Sequence, residues 1–81
     1  MKLINIGFGN LVNSDRIIAV SSPDSSPIKR LVSVGKESGM LIDATQGRKT
    51  KSVIVTDSDH IILSYLSPEG IGKAFGSEED E

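Results

Sequence analysis

The feature that most limits the fold is a chain of only 81 residues that contains no cysteine. A single domain of this size buries only about 60% of the surface that its unfolded chain exposes, so its core is small. Disulfides, bound metal or oligomerisation usually supply the missing stability. The absence of cysteine removes disulfides and thiolate metal sites, and zinc at the single histidine, His60, would have to be completed by carboxylates. By elimination, we predict one domain that is stabilised by self-association.

The cellular location is predicted from what the sequence lacks. A chain without cysteine fits a cytosolic protein, and its apolar runs are too short to span a membrane. The N-terminus has no positive region followed by a long apolar core, so no signal peptide is expected. We therefore predict a cytoplasmic protein with no membrane partner.

The net charge of −2 hides an uneven distribution along the chain. Four of the eleven acidic residues stand together at the C-terminus: Glu78, Glu79, Asp80 and Glu81. Residues 1–77 keep nine basic and seven acidic side chains, a net charge of +2. A terminal acidic run is typical of a solvated tail. We predict a folded, mildly basic domain over residues 1–76 and a disordered acidic tail over residues 77–81, which favours an anionic partner for the domain.

The pattern of apolar residues, glycine and proline predicts an α+β domain with a mixed sheet of four or five strands and two helices. We expect five strands, at residues 2–6, 16–21, 40–44, 52–56 and 60–66, and residues 11–12 can resume the first of them as a short strand. The first helix is predicted to begin after Ser25 or Ser26, with Pro27 in its first turn, and to end at Gly39. The second helix is predicted to begin after Ser67.

Three further expectations concern packing. The strand at residues 16–21 has apolar residues on both faces, which is typical of a sheet centre. With the first helix and the strand at residues 40–44, it is predicted to form a right-handed crossover between parallel neighbours. Ile28, Leu31, Val32 and Gly35 share one face of that helix, which is expected to face the core.

Enzyme chemistry finds little support. Asp57, Asp59 and His60 have a spacing that metal ligands can show, but aspartates at the turn of a hairpin are favoured for backbone hydrogen bonding. A triad with His60 would need a serine that nothing in the sequence selects. The run GFGN at residues 7–10 lacks the third glycine and the helix of a dinucleotide loop, so a bend with positive φ is preferred over an anion-binding nest. We predict no catalytic site, no metal and no cofactor.

Basic residues gather near two predicted strands. Arg16 opens one strand, and Arg48, Lys49 and Lys51 follow another in the turn at residues 47–51. Such side chains can reach phosphates without burying charge, although charge alone favours an ordinary solvated loop equally.

Two other features bear on the partner. Cations at residues 29 and 30 oppose the dipole of the first helix, and we interpret them as solvent-facing. The few aromatic residues, three in the chain, argue against single-strand recognition by stacking and favour duplex DNA held by its backbone.

Beyond these patterns, the sequence resembles the RemA family of bacterial extracellular matrix regulatory proteins. The resemblance runs from Ile4 to about Pro68 in matching order and spacing. It rests on INIGFGN at residues 4–10, RII at 16–18, SPIKR at 26–30, MLIDAT at 40–45, GR at 47–48 and DSDHIILS at 57–64.

The resemblance implies a DNA-binding transcriptional regulator that activates biofilm matrix genes and forms ring-shaped homo-oligomers on the nucleoid. The family's functional arginines match Arg16 and Arg48. Lys49 stands where the family has a further arginine, and lysine keeps the charge but loses the bidentate fork. Gln46 stands where the family often has tyrosine. We predict DNA binding by Arg16, Arg48, Lys49 and Lys51, and the alternative is an oligomeric scaffold or a small-ligand or nucleotide sensor.

Overall fold

The computed structural model describes residues 2–76, which form two sheets and two α-helices. The elements in chain order are β1 Leu3–Asn5, β2 Leu11–Asn13, a 3-10 turn at Ser14–Arg16, β3 Ile17–Ser21, α1 Ser26–Ser38, β4 Leu41–Asp43, β5 Ser52–Thr56, β6 Ile61–Ser64 and α2 Pro68–Gly76. This arrangement confirms the predicted α+β class with two helices. The predicted acidic tail, residues 77–81, lies outside the described residues.

The strands divide between two sheets instead of forming one. β1 and β2 make a separate antiparallel hairpin in which Ile4 pairs with Val12. The other four strands form a mixed sheet in the order β3-β5-β6-β4. In that sheet β5 is antiparallel to both β3 and β6, whereas β4 runs parallel to β6.

The predicted crossover through α1 joins parallel strands, as expected, but these strands are not neighbours. β3 and β4 are separated by β5 and β6 and stand at opposite edges of the sheet. The hairpin of β5 and β6 takes the centre because its strands are apolar on both faces, and Val53 and Ile54 are fully buried. β3 is therefore an edge strand, not the predicted central one, and its Ile18 is 68% exposed. β3 and β5 show the same local pattern of apolar residues, so only long-range pairing distinguishes the edge strand from the central one.

The core lies between one face of the four-stranded sheet and a layer made by the β1-β2 hairpin and α2. Ile4 and Ile6 pack there against Ile54, Ile62 and Ile71. Complete burial of an isoleucine side chain contributes about 1.5–3 kcal/mol. The hairpin is therefore held to the sheet by its own buried side chains.

Helix α1 covers the opposite face of the sheet and has the predicted ends. The Ser25 hydroxyl accepts a hydrogen bond from the Ile28 amide at 3.4 Å, and Gly39 ends the helix with φ 80°. The helix comes close to the sheet at Gly35, where a Cβ would lie 3.1 Å from Ile61 Cγ1. The expected core-facing stripe is only partly correct, because Gly35 is buried but Leu31 remains 40% exposed.

Neither helix within residues 2–76 is long and apolar enough to cross a membrane.

Candidate nucleic-acid interface

The basic segment between β4 and β5 is built on a tight two-residue turn. Gln46 and Gly47 have φ 54° and 82°, and the Arg48 amide donates to the Thr45 carbonyl at 3.0 Å. Two successive positive φ values closed by this bond are typical of a type I′ turn. A Cβ on Gly47 would meet no atom within 4 Å, so the turn needs glycine there for its backbone conformation alone.

The base of this turn is clamped to its surroundings. The Asp43 carboxylate accepts from the Thr45 hydroxyl at 2.6 Å and from the Thr45 amide at 2.9 Å. These two bonds hold the pKa of Asp43 below its ordinary value, and the bond from the Thr45 hydroxyl has the larger effect. The Ala44 amide donates to the Leu63 carbonyl at 3.0 Å, and the Lys51 amide donates to the Ser64 carbonyl at 2.9 Å. Both ends of the segment are thereby fixed to β6.

The cations of this segment point to solvent. Arg48, Lys49 and Lys51 are exposed, and none of them has an ion-pair partner within residues 2–76. Charges presented in this way remain available to an anionic ligand and carry little desolvation cost. We refer to residues 47–51 as the basic turn.

Arg16 lies in a different environment from the basic turn. It ends the 3-10 turn just before β3, one position ahead of the strand that it was expected to open. Its Nε donates to Asp57 Oδ1 at 2.8 Å, while the Asp57 amide donates to the Arg16 carbonyl at 2.9 Å. The two side chains are 59% and 47% exposed. The guanidinium therefore lies at the surface with one edge held by a carboxylate.

A single chain does not bring Arg16 and the basic turn together. The basic turn precedes β5, whereas Asp57, which holds Arg16, directly follows it. The five residues of β5, at about 3.4 Å each, place the two groups roughly 17 Å apart along the sheet. One chain therefore presents two separate sets of positive charge, at opposite ends of the sheet.

Lys29 is a further cation near the basic turn, which the sequence did not indicate as a site residue. Lys29 and Thr50 line one shallow groove of about 240 Å³, whose floor includes Val53 and Leu63. The sequence signal was the cation in the first turn of α1, which opposes the helix dipole. From the sequence, Lys29 is expected to face solvent. It is exposed, and it stands beside the basic turn.

The turn between β1 and β2 has the predicted bend. Phe8 and Gly9 have φ 56° and 78°, and the Asn10 amide donates to the Gly7 carbonyl at 3.0 Å. The Phe8 ring packs on Tyr65, with ring centroids 4.7 Å apart and an interplanar angle of 38°. A Cβ on Gly7 would overlap the Tyr65 ring.

This aromatic pair stands at the same end of the sheet as the basic turn. The Ser64 hydroxyl donates to the Ile6 carbonyl at 2.8 Å, and the Ser64 carbonyl accepts from the Lys51 amide at 2.9 Å. Ser64 thus links the β1-β2 hairpin to the basic turn, and Tyr65 is the next residue.

The segment that contains His60 is a hairpin turn, as predicted. Asp59 has φ 70°, and its amide donates to the Thr56 carbonyl at 3.2 Å. The His60 Nδ1 lies 2.7 Å from the Ser58 hydroxyl, and the His60 amide donates to the Thr56 hydroxyl at 3.1 Å. Thr56, Ser58 and His60 thus bond to one another, while the Asp57 carboxylate accepts from Arg16 outside the turn.

Comparison with known proteins identifies relatives along the whole chain. A family model described as RemA-like, extracellular matrix regulatory protein A-like, matches residues 3–75. A candidate regulatory protein of Acetivibrio thermocellus is 56% identical over 81 residues, which cover 100% of this chain and 87% of that protein. One of Natranaerobius thermophilus is 55% identical over 84 residues, which cover 100% of this chain and 94% of that protein. One of Brevibacillus brevis is 53% identical over 81 residues, which cover 100% of this chain and 94% of that protein. These names point to regulators rather than to enzymes.

Proposed function

The chain belongs to the RemA-like family, and from that premise we propose that it is a transcriptional regulator that binds duplex DNA as a homo-oligomer. Membership confirms the resemblance predicted from the sequence. The observation that carries the proposal is the basic turn, in which three exposed cations project from a segment fixed at both ends. A rigid basic loop can contact phosphates with little loss of conformational freedom.

One protomer has too few cations for tight binding. A repeated site makes each later contact intramolecular, so affinity rises steeply with the number of linked subunits. The two separate charge sets of a protomer also favour assembly. In a head-to-tail contact, one end or edge of a subunit lies against a different end or edge of the next subunit. We propose that such contacts, closed into a ring, join Arg16 and the basic turn of successive subunits into one basic surface.

The sheet has surfaces suited to such an assembly. Within the described residues, β3 and β4 each pair with a neighbour on one side only. Ile18 on β3 is 68% exposed and Ile42 on β4 is 46% exposed. Unpaired edges with exposed apolar side chains readily take up another chain. These two edges support the self-association that the small core led us to expect.

The recognition mode follows from the shape of the site. Of helix α1, Lys29 and Val32 line the groove beside the basic turn, and we propose that this helix adds a phosphate contact and does not read base edges in the major groove. Backbone contacts respond to groove width and to the ease of bending. We propose that DNA shape selects the binding site, that the protein resides in the cytoplasm on the nucleoid, and that extracellular matrix genes are the first targets to test.

Mobility shift of a long mixed-sequence duplex over a salt series tests the proposal. We expect retardation at low salt and a linear fall of log K with log salt, with a slope of about −0.9 for each phosphate contact. Arg48→Ala with Lys49→Ala should abolish the shift while light scattering gives an unchanged particle mass. Lys36→Ala, which removes a cation from the last turn of α1, is the control and should bind normally. No retardation by the wild-type protein would refute the proposal, and dissociation of the Arg48 and Lys49 variant would make those residues interface contacts.

A second candidate function, binding of a small ligand, has one observation in its favour. A groove of about 340 Å³ is lined by Arg16, Ser58 and His60 on its polar side and by Leu11 and Ile42 on its apolar side. Such a groove fits an organic anion or a nucleotide. A wild-type protein that fails to shift DNA but whose Arg16 and His60 signals respond to added nucleotide in an NMR titration would support this alternative.

A further inference from the structure

The tip of the β1-β2 hairpin carries a side chain in an unusual conformation. Phe8 has φ 56°, a region that bulky side chains rarely adopt because the Cβ crowds the backbone. Asparagine or glycine would fill this position of a type I′ turn with less strain. The ring is nevertheless 42% exposed, so burial in the core does not account for its presence.

The surrounding residues hold the Phe8 ring in place. Tyr65 packs against it at a centroid distance of 4.7 Å, and Gly7 gives the Tyr65 ring the space that a Cβ would occupy. The Gly7 amide donates to the Asn5 side chain at 2.7 Å, and the Asn10 side chain donates to the Gly7 carbonyl at 2.9 Å. An exposed aromatic ring on a rigid support is a typical binding feature, and strain at such positions often accompanies function.

The position of this ring indicates its partner. Ser64 bonds both to Ile6 of the hairpin and to Lys51 of the basic turn, so the ring and the cations occupy one end of the sheet. The turn itself is uncharged over residues 7–10, and it would not repel a polyanion. A duplex whose phosphates contact the basic turn therefore offers its sugars and base edges to a neighbouring apolar group.

We propose that Phe8 makes an apolar contact with the deoxyribose and base edges of the duplex that the basic turn holds. This inference rests on the proposed function and adds a contact that does not depend on charge. Apolar side chains that enter the minor groove loosen a base step and bend the duplex. Phe8 would thereby favour sequences whose base steps open easily.

The salt series separates this contact from a phosphate contact. Phe8→Asn suits the positive φ and removes the ring, and we expect its affinity for the mixed-sequence duplex to fall about tenfold or more, because the apolar area buried in the contact is lost. The slope of log K against log salt should stay at the wild-type value, because no phosphate contact is lost. Phe8→Tyr keeps a ring and should restore most of the affinity. Leu3→Asn is the control, because it removes a 49% exposed side chain from the same hairpin and should leave affinity unchanged.

A second measurement follows the DNA itself. The fluorescence of 2-aminopurine within the duplex rises when a base step loosens, so wild-type protein at saturation should increase it and the Phe8→Asn variant should not. Wild-type DNA affinity of the Phe8→Asn variant would overturn the proposal. So would a reduced salt slope, which would show that Phe8 supports the basic turn, or a changed particle mass, which would show that Phe8 is a subunit contact. Failure of the wild-type protein to bind DNA would instead refute the proposed function as well.

Discussion

Arg16 and Asp57 are joined twice, once through their side chains and once through their backbones. The Arg16 Nε donates to the Asp57 carboxylate at 2.8 Å, and the Asp57 amide donates to the Arg16 carbonyl at 2.9 Å. The backbone bond fixes the 3-10 turn to the end of β5. The side-chain bond holds one edge of the guanidinium and leaves its terminal nitrogens as donors for a phosphate. It also places a negative charge beside a group that we propose to bind an anion.

Replacement of Asp57 should therefore affect DNA binding in a graded way. Asp57→Asn keeps an oxygen acceptor for Arg16 Nε and removes the charge, so we expect severalfold tighter binding. Asp57→Ala also removes the acceptor and should bind more weakly than Asp57→Asn, because the guanidinium is no longer oriented. Mobility shift at fixed salt measures both variants. Asp59→Asn removes a charge from the same turn, and the Asp59 side chain has no bond to Arg16. An equal gain in DNA affinity by that variant would show that the effect arises from net charge alone.

Lys29 should contribute a phosphate contact of its own. Its side chain lines a groove with Thr50, beside the basic turn. In Lys29→Ala, the magnitude of the salt slope should fall by up to about 0.9 for every bound subunit, with particle mass unchanged. Lys36→Ala on the same helix is the matched control. Equal slopes for both variants would show that Lys29 is an ordinary surface cation.

Gly47 should be needed for DNA binding beyond its effect on stability. Gly47→Ala places a Cβ at φ 82°, which costs about 1–2 kcal/mol and shifts the basic turn toward another conformation. Gly39→Ala is a close match, because Gly39 has φ 80° and also has no neighbour within 4 Å. Urea unfolding should show similar losses for both variants. Only Gly47→Ala should lose DNA affinity. An equal loss of DNA affinity in Gly39→Ala would contradict a specific role for the conformation of the basic turn.

The Asp43 carboxylate predicts an acid-sensitive basic turn. Its pKa lies below the ordinary value of 3.8 because it accepts bonds from Thr45. A lowered folded-state pKa means that the contribution to stability is complete above the ordinary value and is lost as pH falls through the folded-state value. NMR should show that the Thr45 amide loses protection against exchange, relative to its intrinsic rate, in that range. Asp43→Asn does not titrate and should show no such change, so an identical acid response in both proteins would rule out this cause.

The sequence predicted the elements better than their arrangement. Ser25, Gly39 and Ser67 act locally, so the ends of the helices follow from the chain around them. The order of strands depends on pairing over long separations. Ile18 and Val53 belong to similar apolar strands, but one is 68% exposed and the other fully buried.

The candidate site divides in the same way. Arg48 and its neighbours could be selected from charge, spacing and resemblance. The proximity of Lys29 to Thr50 arises only when α1 packs on the sheet, and Phe8 meets Tyr65 only when the β1-β2 hairpin is placed against β6. A cation or a phenylalanine by itself is compatible with many roles, so these contacts required the three-dimensional structure.

The absence of a side chain at Gly7 has an evolutionary consequence. The Tyr65 ring fills the space in which a Cβ at position 7 would stand, so position 7 cannot gain a side chain while Tyr65 is kept. Descendants of this sequence that gain a side chain at position 7 should already carry a smaller residue at position 65. Substitution at this pair is therefore ordered in time, with the larger partner shrinking first.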